Sequence, residues 1–225
     1  MNGGTAHNET GQTQITVVGI GGAGTNVVTR LSQRQIKGVE CAVIASKLRF
    51  ELQKIPLTRK ASLYEALAPR KGFDGYPWEG LTVPRIKDML ATCLPELLSK
   101  QRLVIITAGL GGHGGFASSI VARLAREAGN LVVGVVTTPF AFESVEYHRY
   151  ANQALELLLA EANSVITISD ANITSALEEH HLSISEVKAS VFFQAVDESV
   201  CEVIEAIIMP MVEPKPPQDF ILSWG

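Results

Sequence analysis

From Gln14 onward, short runs of β-branched and other apolar residues alternate with longer stretches in which apolar positions return every three or four residues. The runs predict strands near 14–19, 39–45, 102–107, 131–137 and 164–168. The longer stretches predict helices in TNVVTRLSQRQI, from Pro84 to Lys100, in ASSIVARLAREAG and from Glu143 to Ala162. Strands that are apolar almost throughout, separated by helices, belong to a parallel sheet buried on both faces. The expected fold is therefore α/β, a three-layer Rossmann-like parallel sheet with helices on both sides. Right-handed crossovers would bring the strand-to-helix loops to one rim of that sheet.

A last, longer helix is predicted from Leu182 to Ile208, with Phe193, Val196, Val200 and Val203–Ile204 along its apolar stripe. Pro210, Pro214, Pro216 and Pro217 then predict an extended segment that ends in the apolar group Phe220, Ile221, Leu222 and Trp224. The chain thus divides into a polar, disordered tail at 1–13, one domain at 14–209 that includes the long helix, and a proline-rich tail at 210–225. The 225 residues, 46% of them hydrophobic, are enough to bury one full core.

Charge and cysteine usage narrow the function classes. A net charge of -4 without a basic cluster offers no field for a polynucleotide backbone. The three cysteines, Cys41, Cys93 and Cys201, are far apart, which argues against a zinc site or a disulfide framework and for reduced core thiols in a cytoplasmic protein. No apolar run reaches the roughly 20 residues of a membrane-spanning helix, and the start lacks the order of a signal peptide.

Two glycine segments carry the candidate chemistry. GIGGAGTN, residues 19–26, joins the first strand to a helix, where backbone N–H groups at the helix start form an anion site and glycine lets a phosphate approach. Taken alone, this GxGxxG pattern fits a dinucleotide, a mononucleotide or a tight structural turn. A dinucleotide fold wants an acid at the end of the second strand, yet ECAVIAS ends in Ser46 and Lys47 with Glu40 at its beginning. A second segment, GLGGHGG at 109–115, follows another strand and opens another helix. Two such cradles on neighbouring loops suit a di- or triphosphate.

With these segments in place, the chain resembles the FtsZ/tubulin superfamily, as a short FtsZ-like protein. ITVVGIGGAGTNVV is similar to the first nucleotide loop of FtsZ, LVIITAGLGGHGG to its tubulin-signature loop, and VVGVVTTPFAFE to the strand and PFxFE segment that follow. VECAVIASK, GFDGYPWEG, NSVITISDANI and FFQAVDESV agree in order and spacing, so the resemblance covers roughly residues 14–209. It implies GTP or GDP as ligand. Gly21, Gly22 and Gly24 would hold phosphates, and Asn26 would be either a polar contact or a helix cap. The backbone of Gly111, Gly112 and Gly115, with Gly114 in the same loop, would wrap the terminal phosphates, and His113 would donate to a terminal phosphate or be an exposed loop histidine. Glu143 would face the ribose, unless it is a first-turn acid favoured by the helix dipole. Phe193 would stack on guanine and Asp197, one turn on, would accept its N1–H and amino protons, unless it is a plain surface acid. Asp170 would face the base or ribose.

Departures from the family pattern bear on catalysis. The family's Asn-Thr-Asp, whose acid organises magnesium, is Ala45, Ser46 and Lys47 here, so Lys47 would contact phosphate in place of the metal or be a solvated lysine. His113, Gly114, Phe116 and Ala117 replace residues of the signature GGGTGTG, and two hydroxyls are lost with them. A phosphate beside His113 would favour its protonated form. The catalytic loop of the family's second domain survives, at most, in Asp219. The expected protein is thus a GTP-binding, self-associating or filament-forming scaffold with weak or no hydrolysis, cytoplasmic or peripheral at a membrane, in cell division or membrane remodelling. The FILSW end would dock to a membrane or protein partner or pack on its own domain. An assembly-dependent GTPase completed by Asp219 of a neighbour, and a Rossmann oxidoreductase binding NAD, are the competing classes.

Overall fold

The computed structural model describes residues 15–45, 53–57, 59–63, 82–98, 102–169 and 189–212. The elements run β1 (Ile15–Ile20), α1 (Gly21–Gln33), β2 (Val39–Ala45), β3 (Arg59–Ser62), α2 (Val83–Cys93), β4 (Leu103–Gly109), α3 (His113–Glu127), β5 (Leu131–Thr137), α4 (Val145–Glu161), β6 (Ser164–Ile168) and α5 (Ala189–Val212). The strands form one sheet in the order β3-β2-β1-β4-β5-β6, and every pairing is parallel. Because the chain winds outward from the centre in both directions, β1 and β4 are neighbours whose following helices leave to opposite sides. Their C-terminal ends therefore open a crevice, where ligands of doubly wound sheets bind.

Alternation along the strands divides the core. Ile15 and Val17 of β1 face α1 and α5 in one layer, with Ile105, Val28, Leu31, Val200 and Ile204. Val18 and Ile20 face the other layer, where Ile86 and Leu90 of α2, Val121 and Ala125 of α3 and Leu158 of α4 are buried. The five predicted strands are all present. The short β3 was not predicted: RKAS begins with two charged residues and shows its strand nature only by pairing Ala61 and Ser62 with Ile44 and Ala45 at the sheet's edge.

Helix starts differ from expectation in one consistent way. Helix α1 begins at Gly21 rather than near Thr25, and α3 at His113 rather than Ala117. The glycines are not loops ahead of the helices; they are the first turns, because at these places the helix must touch backbone rather than side chains. A β-carbon on Gly24 would overlap the carbonyl oxygen of Thr107 in β4, and one on Gly114 would stand 2.6 Å from the carbonyl oxygen of Ile20. The region predicted as one helix from Pro84 is divided by Pro95 into α2 and a short 3-10 turn at Pro95–Leu98.

Helix α5 runs through Pro210 to Val212, past the boundary that the prolines suggest. A proline in a last turn removes only one backbone bond of a helix that is held along its length by packing. Its buried stripe is Phe192, Val196, Val200, Ile204 and Ile208, so Phe193, expected on that stripe, is half exposed. Arg30 and Arg34 of α1 pair across to Asp197 and to Glu198 and Glu205 of α5, tying the two helices together. On the opposite rim of the sheet, Glu40 is bound by Arg102 at 2.8 Å and Arg59 at 3.5 Å. Arg59 also pairs with Glu96. No helix among the described residues is long and apolar enough to cross a membrane.

Gly24→Ala is expected to lower stability by about 1–3 kcal/mol, since the clash is with backbone that cannot swing aside. Gly22→Ala, whose β-carbon would meet nothing within 4 Å, is expected to leave it unchanged or slightly higher. Thermal denaturation of the two variants without added nucleotide checks the contrast.

Candidate functional site

A cleft of about 330 Å³ lies where the C-terminal ends of β1, β4 and β5 meet, at the switch in strand order. Its floor comes from the first turn of α1, with Gly21 and Gly22, and from the turn into α3, with Gly111, Gly112, His113 and Gly114. The two turns touch: a β-carbon on Gly21 would lie 3.2 Å from the Cα of Gly114. Gly21 also has φ +75, a conformation that L side chains rarely adopt. Both helix N-termini therefore aim their backbone N–H groups and the positive ends of their dipoles at one place. Neither helix carries an acid in its first turn, so no fixed negative charge there opposes an anion.

The far wall comes from the segment after β5. Thr137, Thr138, Pro139 and Phe140 line the cleft with Glu143 and Tyr147. The Glu143 carboxylate accepts the N–H of Phe140 at 2.7 Å, while the Glu143 N–H is donated back to the Phe140 carbonyl at 2.9 Å. The PFAFE segment is thus a closed turn, and one carboxylate oxygen is engaged within it. Ser144 caps α4 by accepting the Tyr147 N–H. His148 bonds the Phe140 carbonyl at 3.0 Å through its Nε2, fixing the same turn from below.

Of the residues singled out from sequence, Gly21, Gly22, Gly111, Gly112, His113, Gly114 and Glu143 line this one cleft. Gly24 and Gly115 sit beneath it as packing contacts, against Thr107 and Leu110 respectively. Asn26 is exposed in the second turn of α1, and since that helix is preceded by Ile20, Asn26 is not its cap. Burial pushes the His113 imidazole below its usual value, which favours the neutral ring unless an anion lies beside it. Lys47, Asp170 and Asp219, together with the tails at 1–13 and 213–225, lie outside the described residues.

Phe193 and Asp197 stand on α5 beyond the cleft's lining, and an aromatic chain leads to them. Phe193 meets Phe140 edge-on at 5.6 Å between ring centroids, and Phe140 stacks on Phe142 at 5.3 Å. Phe140 lines the cleft, whereas Phe142 is 70% exposed. One turn beyond Phe193, the Asp197 carboxylate lies 3.6 Å from Arg30 Nε. Burial raises its pKa to about 6, and the guanidinium of Arg30 only partly opposes this. Glu40, the acid of the second strand, sits in the ion pairs of the opposite rim, at the wrong end of β2 to hold a dinucleotide's ribose.

Thr137, Thr138, Phe140 and Tyr147 line the cleft without having been picked out as site residues. The first three stand at the end of strand β5 or just after it, ahead of a turn, which is a signal for rim residues in this type of sheet. Tyr147 carries no such signal, because its place depends on how α4 packs against the loop after β4.

The fold and the cleft can be set beside known proteins. The sequence model described as Tubulin/FtsZ family, GTPase domain matches residues 14–178. Cell division protein FtsZ 2 of Methanocaldococcus jannaschii is 31% identical over 207 residues, 92% of this chain and 51% of the relative. Cell division protein FtsZ 2 of Haloferax volcanii is 30% identical over 205 residues, 91% of this chain and 48% of the relative. The chain therefore spans about half the length of these relatives. In structure it is similar to an empty FtsZ dimer of M. jannaschii, with a TM-score of 0.70 and 23% identity over 91% of this chain and 57% of that one. It is also similar to CetZ2 from Haloferax volcanii in a GTPgS-bound protofilament, with a TM-score of 0.71 and 16% identity over 91% of this chain and 61% of that one. An all-parallel sheet of this order, two glycine turns in contact at its switch point and a family match over most of the chain agree: the chain belongs to the Tubulin/FtsZ family and carries that family's GTPase domain.

Proposed function

We propose that the cleft binds GTP or GDP and that the protein is an FtsZ-like cytoskeletal scaffold that self-associates, with hydrolysis weak or absent. The observation that carries this reading is the contact of Gly21 with Gly114, which makes a floor of backbone from two helix N-termini. At that contact there is no room for side chains, and a polyphosphate matches the floor in charge and in acceptor oxygens. The polyphosphate would lie over the two turns, its ribose toward Glu143 and its base toward Phe193 and Asp197. A carboxylate at Asp197 pairs with the N1–H and amino group of guanine and repels the acceptor N1 of adenine, which selects GTP over ATP. Two relatives in structure, an FtsZ dimer and a GTPgS-bound CetZ2 protofilament, support self-association and the choice of nucleotide.

Weak hydrolysis follows from the side chains at hand. Attack on phosphate needs a water-positioning or general-base group, and the described candidates in the cleft are His113 and Glu143, the latter already bonded to Phe140 N–H. The described floor is made of N–H donors, which suit phosphate oxygens and not a magnesium ion, whose ligands are oxygens. Oxygen ligands come from the far wall, where Thr137, Thr138 and Glu143 would be the described residues to hold that metal beside phosphate oxygens, and no step is assigned to it.

Denaturing the purified protein and identifying what it releases is expected to yield guanine nucleotide; NAD or adenine nucleotide in its place overturns the reading. Phosphate release from GTP is expected to remain slow and independent of protein concentration, and a rate that climbs with concentration and disappears in Asp219→Ala would establish the GTPase class instead. The Asp197 pKa gives a third prediction. Guanine needs the ionised carboxylate, and the free protein holds its proton up to about pH 6. Affinity for GDP relative to that of Asp197→Asn at the same pH should therefore be constant above pH 7 and fall by about tenfold per unit well below pH 6, through proton linkage, any contribution of His113 being common to both proteins. Titration calorimetry of both proteins across pH checks this, and Asp197→Asn should show weaker binding at pH 7.

A further inference from the structure

One wall of the cleft is a side chain that neither the glycine motifs nor the proposed base contacts account for. Tyr147 lies in the first turn of α4, and its ring covers Gly111, where any β-carbon would overlap ring atoms Cδ1 and Cε1. Its hydroxyl reaches further along the same loop, 3.6 Å from where a β-carbon on Gly112 would stand. The phenol thus runs along the second glycine turn and ends at the part of the cleft lined by Gly112 and His113. Residues 109–115 of that turn, GLGGHGG, contain no hydroxyl side chain of their own.

We propose that Tyr147 is a phosphate-binding residue of this cleft, its hydroxyl donating to the phosphate held by the second glycine turn. This rests on the nucleotide reading of the cleft and adds a side-chain ligand to a floor otherwise made of backbone. The chemistry is suited to it: a phenol is a neutral donor with few torsions to freeze, and a hydrogen bond to a charged acceptor is stronger than one between neutral groups. Tyr147 remains 42% exposed, so the hydroxyl is open to a ligand entering from solvent. Gly111 is then glycine for a reason of its own, which is to seat the ring. A side chain there would push the phenol off the loop while leaving the floor at Gly21 and Gly114 in place.

The experiment compares affinities for GMP, GDP and GTP in the wild type, Tyr147→Phe, Gly111→Ala and the double variant, with melting temperatures measured alongside. Tyr147→Phe keeps the ring over Gly111 and is expected to melt as the wild type does. It should weaken GTP binding about tenfold, the usual scale for one hydrogen bond to a charged group, and change GMP binding less than twofold. Gly111→Ala should reproduce that pattern, and the double variant should be no worse than Gly111→Ala alone, because both changes remove one contact. Tyr147→Phe that binds GTP as tightly as the wild type, or loses all three nucleotides equally, overturns the role of the hydroxyl and leaves the nucleotide reading standing. A wild-type protein with no affinity for any guanine nucleotide overturns both.

Discussion

Contact between two stretches of bare backbone governs this structure. Gly114, at the start of α3, presses on the carbonyl of Ile20, and Gly21 lies against Gly114, so the helices after β1 and β4 begin within touching distance of each other. The approach needs residues without β-carbons on both sides. It also concentrates two sets of unpaired helix N–H groups at one point, where they cost free energy unless water or an anion satisfies them. A site of this kind has donors for an anion built into the main chain, to which the side chains of its walls add their own contacts.

The surrounding elements stabilise that contact from two directions. Beneath it, Gly24 lies on Thr107, so α1 is seated on β4 without an intervening side chain, and Gly115 lies on the backbone of Leu110 in the turn that leads into α3. Across it, Arg30 and Arg34 join α1 to three acids of α5. Helix α5 therefore does more than cover one face of the sheet. It holds Phe193 against Phe140, a residue of the cleft, while its buried stripe of Phe192, Val196, Val200, Ile204 and Ile208 fixes the rotation that turns Phe193 and Asp197 toward the same end of the molecule. The raised pKa of Asp197 expresses the cost of burying a carboxylate there, which one guanidinium 3.6 Å away offsets only in part. A guanine that donates two hydrogen bonds would relieve it.

Helix α4 and the turn before it supply the far wall of the cleft. The PFAFE turn is closed on itself by Glu143 and braced by His148, which delivers Tyr147 to the loop that it covers. The same segment leaves Phe142 and Val145 exposed at 70% and 85%. Shape and charge at this rim are thus set by one short segment, and the rigid sheet below is unaffected by its sequence.

Five strands, the layer arrangement, the two glycine turns and the family were legible in the sequence, because each depends on periodicity or on residues close together along the chain. Apolar runs and helical spacing report burial directly, and glycine at a strand-to-helix junction has few other uses. What could not be read depended on partners distant in sequence. Strand β3 begins Arg-Lys and becomes a strand through pairing with β2, while the extension of α5 through Pro210 reflects packing that outweighs one lost hydrogen bond. Gly24 and Gly115 look the same on the page as Gly22 and Gly112, yet the first two meet backbone and the second two line the cleft. Only the folded chain decided that Tyr147 would occupy the space Gly111 leaves. The sequence by itself determined five of the strands, the helical stretches and the two glycine turns; the tertiary structure decided which glycines line the cleft and which meet the protein, because that choice depends on what stands across the gap.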